Sequence, residues 1–434
     1  MLITVESLRT DHIGCYGCER DTSPTIDALA REATLYDNAY SVTSWTLTSH
    51  ASIFTGLYPT AHNVVREKDR LNDSYKTTAE TLADYGYQTA AIVSGPYLKK
   101  AHGLNRGFAT YDETPLSPSN ADAHEDVTNE QMDARINHFL ERTRRKEGPF
   151  FLFLYYWDPH YQFIPPPPYD TLFVPEGAEK PKKSPQFHTH YKLGKHITPA
   201  ELEHVEAQYD GEIRCTDDYL KKLFDSLRAL DLWDDTAIIL TADHGEQFYD
   251  HGHLGHKYDL HVESLHVPLI VKFPDQTAAR RDPRTVNLID LFPTVLELGR
   301  CRVPEEQHGL SLLAEPRAPL DPTFHELVAV WFMTRKSTGE KWSETENWFA
   351  VRQGDFKLIW QEVAGVTELY NVTEDPQELH PITEGSDDIV ARLKLEIEQW
   401  RARNKAVADR AGSPVRAVLT PEEEERLRSL GYID

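Results

Sequence analysis

Residues 237–245 read AIILTADHG, an apolar run that ends directly in a carboxylate and an imidazole. Residues 2–6 read LITVE and form a second run of this kind, which ends in Glu6. Such runs are typical of buried parallel strands, and open α/β sheets bind their ligands at the carboxyl ends of these strands. We therefore expect Glu6 and Asp243 to meet at one edge of a single sheet, where they would form one metal site.

Similar runs alternate with amphipathic stretches from residue 1 to residue 320. This alternation predicts an α/β fold in which helices flank a large, mostly parallel sheet. One helical pattern covers residues 24–33, and another lies just before the run that begins at residue 237. Further strands are predicted at residues 89–93, 150–156 and 269–273. Residues 165–195, rich in Pro, Lys and His, are expected to form a long surface excursion near the site.

The pattern changes after residue 320. Short runs typical of antiparallel strands occur there, at residues 348–351, 356–360 and 368–370. A helical pattern over residues 389–400 follows, so residues 321–415 are expected to form a small α+β domain with an antiparallel sheet. Residues 416–434 are predicted to be a helical tail, because Thr420 suits a helix start and Gly431 a helix end.

The composition indicates a soluble globular protein of 434 residues, 27% of them charged and 40% hydrophobic. The net charge of −24 argues against nucleic acid as a partner, because phosphate backbones bind basic surfaces. No apolar run approaches the ~20 residues of a membrane span, and no signal-peptide pattern is present, so we expect a cytoplasmic location. Cys15 and Cys18 are interpreted as ordinary thiols, since four cysteines are too few for a disulfide framework. The sequence does not decide whether the protein forms an oligomer.

Thr46 is the predicted nucleophile. It lies in SWTLTSH at residues 44–50, where a strand is expected to lead into a helix. Free backbone N–H groups at a helix start can hold an anion, which favours a nucleophile at this place. The predicted metal ligands are Glu6, Thr46, Asp243 and His244. Their carboxylate, hydroxyl and imidazole groups suit a divalent ion such as Mn²⁺, Zn²⁺, Mg²⁺ or Ca²⁺, which would activate the hydroxyl by lowering its pKa.

These residues have two simpler interpretations, which are alternatives to a metal site. Thr46 could serve only as a helix-capping hydroxyl, a role in which Ser or Asn would do as well. Residues 243–245 could form an ordinary turn after a strand. The matching positions of Glu6, Thr46 and Asp243 at strand ends and at a helix start favour the metal site over both.

Histidines crowd the segment after Asp243, and His160 follows the predicted strand at residues 150–156. Phosphoryl or sulfuryl transfer needs donors for the equatorial oxygens and an acid for the leaving group. We assign these catalytic roles to His160 and His256. A second, weaker ion near these two histidines and Asp158 is an alternative. The predicted substrate-binding residues are His50, Lys68, His251 and His253, whereas His261 and His266 are expected to be structural.

Several stretches act together as a longer signature. They are ITVESLRTDH (residues 3–12), CYG (15–17), SHASIFTGLYP (49–59), WDPH (157–160), TADHGE (241–246), ESLHVPL (263–269), FKLI (356–359) and ELYN (368–371). Together they resemble the sulfatase family of the alkaline phosphatase superfamily over essentially the whole chain. The resemblance implies a metal-dependent hydrolase with a large catalytic α/β domain and a small C-terminal domain.

The nucleophile segment departs from that family. Sulfatases make a formylglycine from Cys or Ser in a Cys/Ser-x-Pro-x-Arg motif, whereas the matching residues here are Thr46-Leu47-Thr48-Ser49-His50. Threonine would give a ketone instead of an aldehyde, so formylglycine cannot form at this position. The predicted ligand set instead resembles the metal and nucleophile residues of phosphoethanolamine and phosphoglycerol transferases in the same superfamily.

Three functions are open at this point. The leading interpretation is a hydrolase of phosphate mono- or diesters, or a phosphoryl transferase, that acts through phosphorylated Thr46 on a small anionic ester. The second is a sulfuric ester hydrolase that works without formylglycine. The third is a non-catalytic binding protein on the same scaffold.

Overall fold

The computed structural model describes residues 1–114, 128–161, 163–176, 178, 197–318, 321–334 and 341–429. Its largest element is an eight-stranded sheet in the N-terminal part of the chain. The strands of this part are β1 (Leu2–Val5), β2 (Thr34–Tyr40), β3 (Asp69–Arg70), β4 (Gln88–Val93), β5 (Thr110–Asp112), β6 (Phe150–Tyr156), β7 (Ile238–Ala242), β8 (Gln247–Phe248), β9 (Leu254–Gly255), β10 (Leu269–Lys272) and β11 (Arg280–Asn287). The large sheet has the order β11-β2-β10-β7-β1-β6-β4-β5.

Strand direction in this sheet is mostly parallel, which confirms the predicted fold class. The exception is β10, which runs antiparallel to both of its neighbours, β2 and β7. The central strand β1 pairs in parallel with β6 and β7, and the last residues of the three strands lie opposite one another. The residues that follow these strands, Glu6, Trp157 and Asp243, therefore emerge at the same edge of the sheet.

Two of the strands that the sequence did not predict, β2 and β11, lie side by side at one end of the large sheet, and β5, which was not predicted either, forms the other end. Strand β11 reads RRDPRTVN and is the edge strand, so its first side chains remain exposed. Strand β2 carries half-buried Asp37 and Asn38 at its centre. A strand at an edge needs no continuous apolar run, because part of its surface stays in water.

Helices flank the sheet, as predicted. In chain order they are α1 (Pro24–Ala30), α2 (Thr46–Thr55), α3 (Pro59–His62), α4 (Thr78–Asp84), α5 (Asn129–His138), α6 (Tyr169–Leu172), α7 (Pro199–Ala229), α8 (Val262–Leu265), α9 (Leu291–Leu298), α10 (Asp387–Ala411) and α11 (Pro421–Ser429). The longest, α7, starts with a capping box in which Thr198 and Glu201 each accept the other's backbone N–H. The predicted helix over residues 24–33 is α1, which ends at Ala30.

The C-terminal part of the chain forms a second, four-stranded antiparallel sheet. Its strands are β12 (Thr323–Thr334), β13 (Lys341–Gln353), β14 (Phe356–Gln361) and β15 (Val366–Asn371). Helix α10 packs on this sheet, and Leu393, Ile397 and Trp400 are buried beside Phe349 and Leu358. The predicted small domain with its packed helix is therefore present, and β12 is a strand that the sequence did not predict.

After α10 the chain returns to the large domain. Strand β16 (Val415–Arg416) pairs with β3, and α11 buries Leu427 in the main core. The helix predicted in the tail is α11. The limits given above for the two domains and the tail, residues 1–320, 321–415 and 416–434, stay predictions.

Three further features bear on the sequence predictions. Residues 179–195, most of the predicted surface excursion, lie outside the described residues. Among the helices of the described ranges, none is both long and apolar enough to cross a membrane. The four cysteines all lie in described parts of the chain and are free thiols.

Glu326 in β12 joins the small sheet to the large domain. Its backbone N–H donates to the Val42 carbonyl at 2.9 Å, and its Oε1 accepts the Thr60 N–H at 2.5 Å. The second carboxylate oxygen is buried without a hydrogen-bond partner. Burial raises the pKa of Glu326 to about 7. The folded protein thus binds this proton more tightly than the unfolded chain does.

We expect this glutamate to make stability depend on pH. Its contribution is fully present below the unfolded pKa of about 4.5 and is lost as pH rises through 7, a difference of at most ~3 kcal/mol. Glu326→Gln keeps an acceptor for Thr60 and cannot ionise, so the fall in unfolding free energy between pH 5.5 and 8 should be smaller in this variant. Denaturant unfolding of both proteins at the two pH values measures the difference, and equal falls would contradict the prediction.

Candidate active site

Thr46 is the first residue of α2, and its hydroxyl faces the acids. The N-cap of this helix is Trp45, and no side chain caps the helix start. Thr46 Oγ1 lies 3.3 Å from both carboxylate oxygens of Glu6 and 3.2 Å from His244 Nε2. The side chain is buried, with 1% of its residue surface exposed. Thr46 is therefore not a capping residue, and its hydroxyl belongs to the cluster at the sheet edge.

The two acids lie where the strand pattern placed them. Glu6 continues from β1, and its backbone N–H donates to the Tyr156 carbonyl at 2.9 Å. The Tyr155 hydroxyl donates to Glu6 Oε2. Asp243 Oδ1 accepts the N–H groups of Ser7 at 3.1 Å and His244 at 3.0 Å, so that side chain is fixed on one side. Asp243 Oδ2 is buried, has no hydrogen-bond partner and lies 3.6 Å from His244 Nε2.

Two histidines complete the cluster. His244 Nδ1 donates to the Gly245 carbonyl at 2.8 Å, so Nε2 faces Glu6 Oε1 at 3.2 Å. His256 Nδ1 lies 3.1 Å from a carboxylate oxygen of Glu246, and its Nε2 is buried without a hydrogen-bond partner. One ligand atom from each of Glu6, His244 and His256 lies within 4.8 Å of the other two.

This donor set fits a divalent metal ion. Carboxylate oxygens, a hydroxyl and imidazole nitrogens converge in a buried place, and two of the acceptor atoms, on Asp243 and His256, lack a partner. A carboxylate behind a metal-binding histidine is a common arrangement, and Glu246 stands in that position behind His256. The structure thus brings all four predicted ligands together and adds His256 as a further donor.

The electrostatics of the cluster reflect an excess of negative charge. Burial and the neighbouring Glu6 raise the pKa of Asp243. Burial alone would lower the pKa of His244, but Asp243 and Glu6 outweigh it and raise that pKa to about 10. Burial and His244 together lower the pKa of His256 to about 3, so His256 is a neutral donor. A divalent cation between the two acids would compensate this excess of negative charge.

His160 lies beside this cluster, on the segment that follows β6. Its ring stacks on Trp157 with 3.7 Å between centroids and lies 5.5 Å from the ring of His256. The His256 ring is in turn 4.5 Å from that of His244. The three histidines therefore form a row that begins at the predicted metal ligand His244. The two residues predicted for oxygen binding or proton donation, His160 and His256, are neighbours in this row.

The four predicted substrate-binding residues have other surroundings. His50 is buried in α2, where Nδ1 donates to the Thr46 carbonyl at 2.8 Å and Nε2 lies 3.0 Å from Thr4 Oγ1. His50 thus lies behind Thr46, between helix and sheet. His253 stacks on Tyr258 at 5.5 Å. Their roles toward substrate stay predictions.

The other two, His251 and Lys68, contact the C-terminal part of the chain. His251 Nδ1 lies 2.6 Å from Glu263, and Nε2 donates to the Glu378 carbonyl at 2.8 Å. Lys68 forms an exposed ion pair with Glu424 at 2.6 Å. Within the described ranges, none of the hydrogen bonds or ion pairs of these two residues involves Thr46 or its ligands. The roles of His251 and Lys68 toward substrate stay predictions.

Lys257 is a residue that the sequence analysis missed. It directly follows His256, forms an ion pair with buried Glu67, and its Nζ lies 4.0 Å from the centroid of the Trp45 ring. Trp45 immediately precedes Thr46, so this cation lies next to the Thr46 segment. The available signal was its position beside His256, but a lysine in a polar loop is usually a surface residue, and sequence alone gave no reason to single it out.

Family models match most of the chain. A model described as Sulfatase matches residues 1–300. A model described as N-sulphoglucosamine sulphohydrolase, C-terminal, matches residues 249–403. The two matches overlap in the segment that carries His256, and together they cover both sheets.

Individual relatives come from more than one activity class. The chain is 26% identical to the multifunctional alkaline phosphatase superfamily protein PehA of Trinickia caryophylli over 365 residues, which cover 67% of this chain and 70% of PehA. It is 24% identical to an arylsulfatase of Clostridium perfringens, with 94% and 95% covered. The crystal structure of phosphonate monoester hydrolase of Agrobacterium radiobacter superposes with a TM-score of 0.75 at 22% identity, with 93% and 95% covered, which shows the shared fold.

Proposed function

This chain belongs to the sulfatase family and is a hydrolase of phosphoric or sulfuric esters, and from that premise we propose that it cleaves phosphate mono- or diesters through phosphorylated Thr46. One observation carries the proposal. The Thr46 hydroxyl lies within 3.3 Å of Glu6 and His244 at the start of a helix, in the position from which a nucleophile would act. A threonine cannot become a formylglycine, so the covalent chemistry proposed here uses the hydroxyl itself.

The ligand set would hold one divalent ion between Glu6, Asp243, His244 and Thr46, with His256 as the nearest further donor. When bound, this ion would lower the pKa of the Thr46 hydroxyl and offset the charge on a bound ester. Two imidazole nitrogens among the donors favour Zn²⁺ over Mg²⁺ or Ca²⁺, which prefer oxygen ligands, and the carboxylate oxygens also suit Mn²⁺.

The proposed reaction has two steps. Thr46 Oγ1 attacks phosphorus in line, its proton passes to Glu6 at 3.3 Å, and the bond between phosphorus and the leaving oxygen breaks. His160, which is protonated at Nε2 for this step, donates that proton to the leaving oxygen. A water molecule then attacks phosphorus and gives one proton to His160, the bond between phosphorus and Thr46 Oγ1 breaks, and Glu6 returns its proton to Thr46. Phosphate leaves from a monoester, and a phosphate monoester leaves from a diester. In a transferase reaction an acceptor alcohol would replace this water.

Two alternative functions remain open. The arylsulfatase relative favours a sulfuric ester hydrolase, in which Thr46 or a water molecule would act directly on sulfur. A binding protein without activity is less well supported, because Glu6, His244 and His256 bring ligand atoms together in a buried place beside the Thr46 hydroxyl.

Turnover of three substrate classes separates these functions. The purified protein is loaded with Mn²⁺ or Zn²⁺ and assayed with an aryl phosphate, an aryl phosphodiester and an aryl sulfate under the same conditions. We expect at least one phosphate ester to react faster than the sulfate ester. A faster sulfate ester would favour the sulfatase, and bound metal without any turnover would favour the binding protein.

A further inference from the structure

The middle of helix α7 buries a row of polar side chains. Tyr209, Asp210, Glu212, Thr216 and Asp217 all have less than a tenth of their surface exposed. Polar groups in such places destabilise a protein unless they are hydrogen-bonded. Their partners here lie in segments that follow strands or precede helices at the catalytic edge of the sheet, so this face of α7 acts as a scaffold for those segments.

Glu212 holds the segment that carries His160. Its Oε2 accepts the backbone N–H of His160 at 3.1 Å, and its Oε1 accepts that of Ile164 at 2.5 Å. One turn further along α7, Thr216 Oγ1 donates to the Asp158 carbonyl at 3.1 Å. A single carboxylate therefore fixes the backbone at His160 and at Ile164, and Thr216 fixes the backbone two residues before the histidine.

The backbone anchors determine where the His160 ring lies. Nδ1 donates to the Tyr161 carbonyl at 2.6 Å, so Nε2 is the nitrogen that can accept a proton or a hydrogen bond. The ring is held against Trp157 on one face and lies near His256. Because the ring is fixed through its own backbone and its neighbour, a shift of the His160 N–H would move the imidazole relative to Thr46.

We propose that Glu212 is a positioning residue for His160, which it holds in the orientation needed at the catalytic edge without touching the substrate. This proposal depends on the proposed function only for the catalytic role of His160. The closely comparable residue Asp217 supplies a control. Asp217 is equally buried on the same helix and accepts the N–H groups of Thr25 and Ile26 at 2.8 Å, at the start of α1 instead of beside His160.

Kinetics of matched variants test the proposal. Glu212→Gln and Asp217→Asn keep size and remove one strong acceptor each, so similar losses of thermal stability are expected. We expect kcat to fall about 10- to 100-fold in Glu212→Gln alone, with metal content and KM little changed, since a buried N–H that loses its acceptor costs factors of this size. In a His160→Ala background the same Glu212→Gln change should lower kcat less than about 2-fold.

Two kinetic outcomes would overturn the role. One is an equal fall of kcat in Glu212→Gln and Asp217→Asn, which would mean general destabilisation. The other is an undiminished effect of Glu212→Gln in the His160→Ala background, because a residue that acts through His160 has nothing left to position there.

A second measurement does not depend on turnover. In protein labelled with ¹⁵N-histidine, the ring signals that disappear in His160→Ala belong to His160. We expect them to report the Nδ1–H tautomer in the parent and in Asp217→Asn, and to shift or broaden in Glu212→Gln. Unchanged His160 signals in Glu212→Gln would refute the positioning role, whereas absent ester turnover in the parent would refute the proposed function alone.

Discussion

Replacing Thr46 with alanine is expected to abolish the turnover of phosphate esters, with a loss of at least ~10⁴-fold in kcat. The hydroxyl is the atom proposed to bond to phosphorus, and alanine has no group that can take its place. The fold should persist, because the hydrogen bonds of this hydroxyl go to Glu6 and His244 and not to the backbone of α2. Initial rates, circular dichroism and metal analysis of the purified variant measure these three properties.

Thr48 provides a matched control on the same helix. Its hydroxyl is also buried, but it has no hydrogen-bond partner among the described residues. Thr48→Ala should therefore change kcat by no more than about 3-fold. Mass spectrometry after rapid acid quench should show one added phosphoryl group on the Thr46 peptide of the parent. Near-parent rates in Thr46→Ala, or a parent that cleaves sulfate esters far faster than phosphate esters, would refute the mechanism.

Replacing Asp243 with alanine is expected to release the bound ion and to lower kcat/KM by more than ~100-fold. Loss of a residue that only supports a metal ligand already costs up to ~100-fold, and Asp243 is proposed to be a ligand itself. Asp243 Oδ2 is a buried acceptor without a partner, aimed at the place where Glu6 and His244 meet. Metal content per chain, measured by elemental analysis after gel filtration, should fall from about one in the parent to near zero.

A thermal shift gives an independent test of the same site. An ion present at 100 times its dissociation constant stabilises the folded state by ~2.7 kcal/mol, so the parent should melt higher with Mn²⁺ or Zn²⁺ than after chelation. Asp243→Asn, which keeps the acceptor for the Ser7 and His244 N–H groups, should lose most of this shift. Asp217→Asn should retain it. Full metal content and activity in Asp243→Ala would show that the ion binds elsewhere.

The sequence by itself determined the centre of the sheet and the acids at its edge. Strands β1 and β6 have the predicted bounds, and β7 begins one residue later than predicted. A strand that is buried on both faces can carry little but apolar side chains, so its length and its end are readable from composition alone. The residue after such a strand must lie at the carboxyl edge, which is why Glu6 and Asp243 could be paired across 237 positions.

Only the tertiary structure decided which histidines belong to the site and which strands complete the sheet. His251 contacts Glu378, which is 127 residues away, and Lys68 pairs with Glu424, which is 356 residues away. His256, a neighbour of His251 in sequence, instead meets Glu6 and His244. A histidine has the same side chain whether or not it lies in the site, and an apolar strand has the same sequence pattern whether it runs parallel or antiparallel. Both outcomes therefore depend on long-range packing, which local sequence patterns do not record.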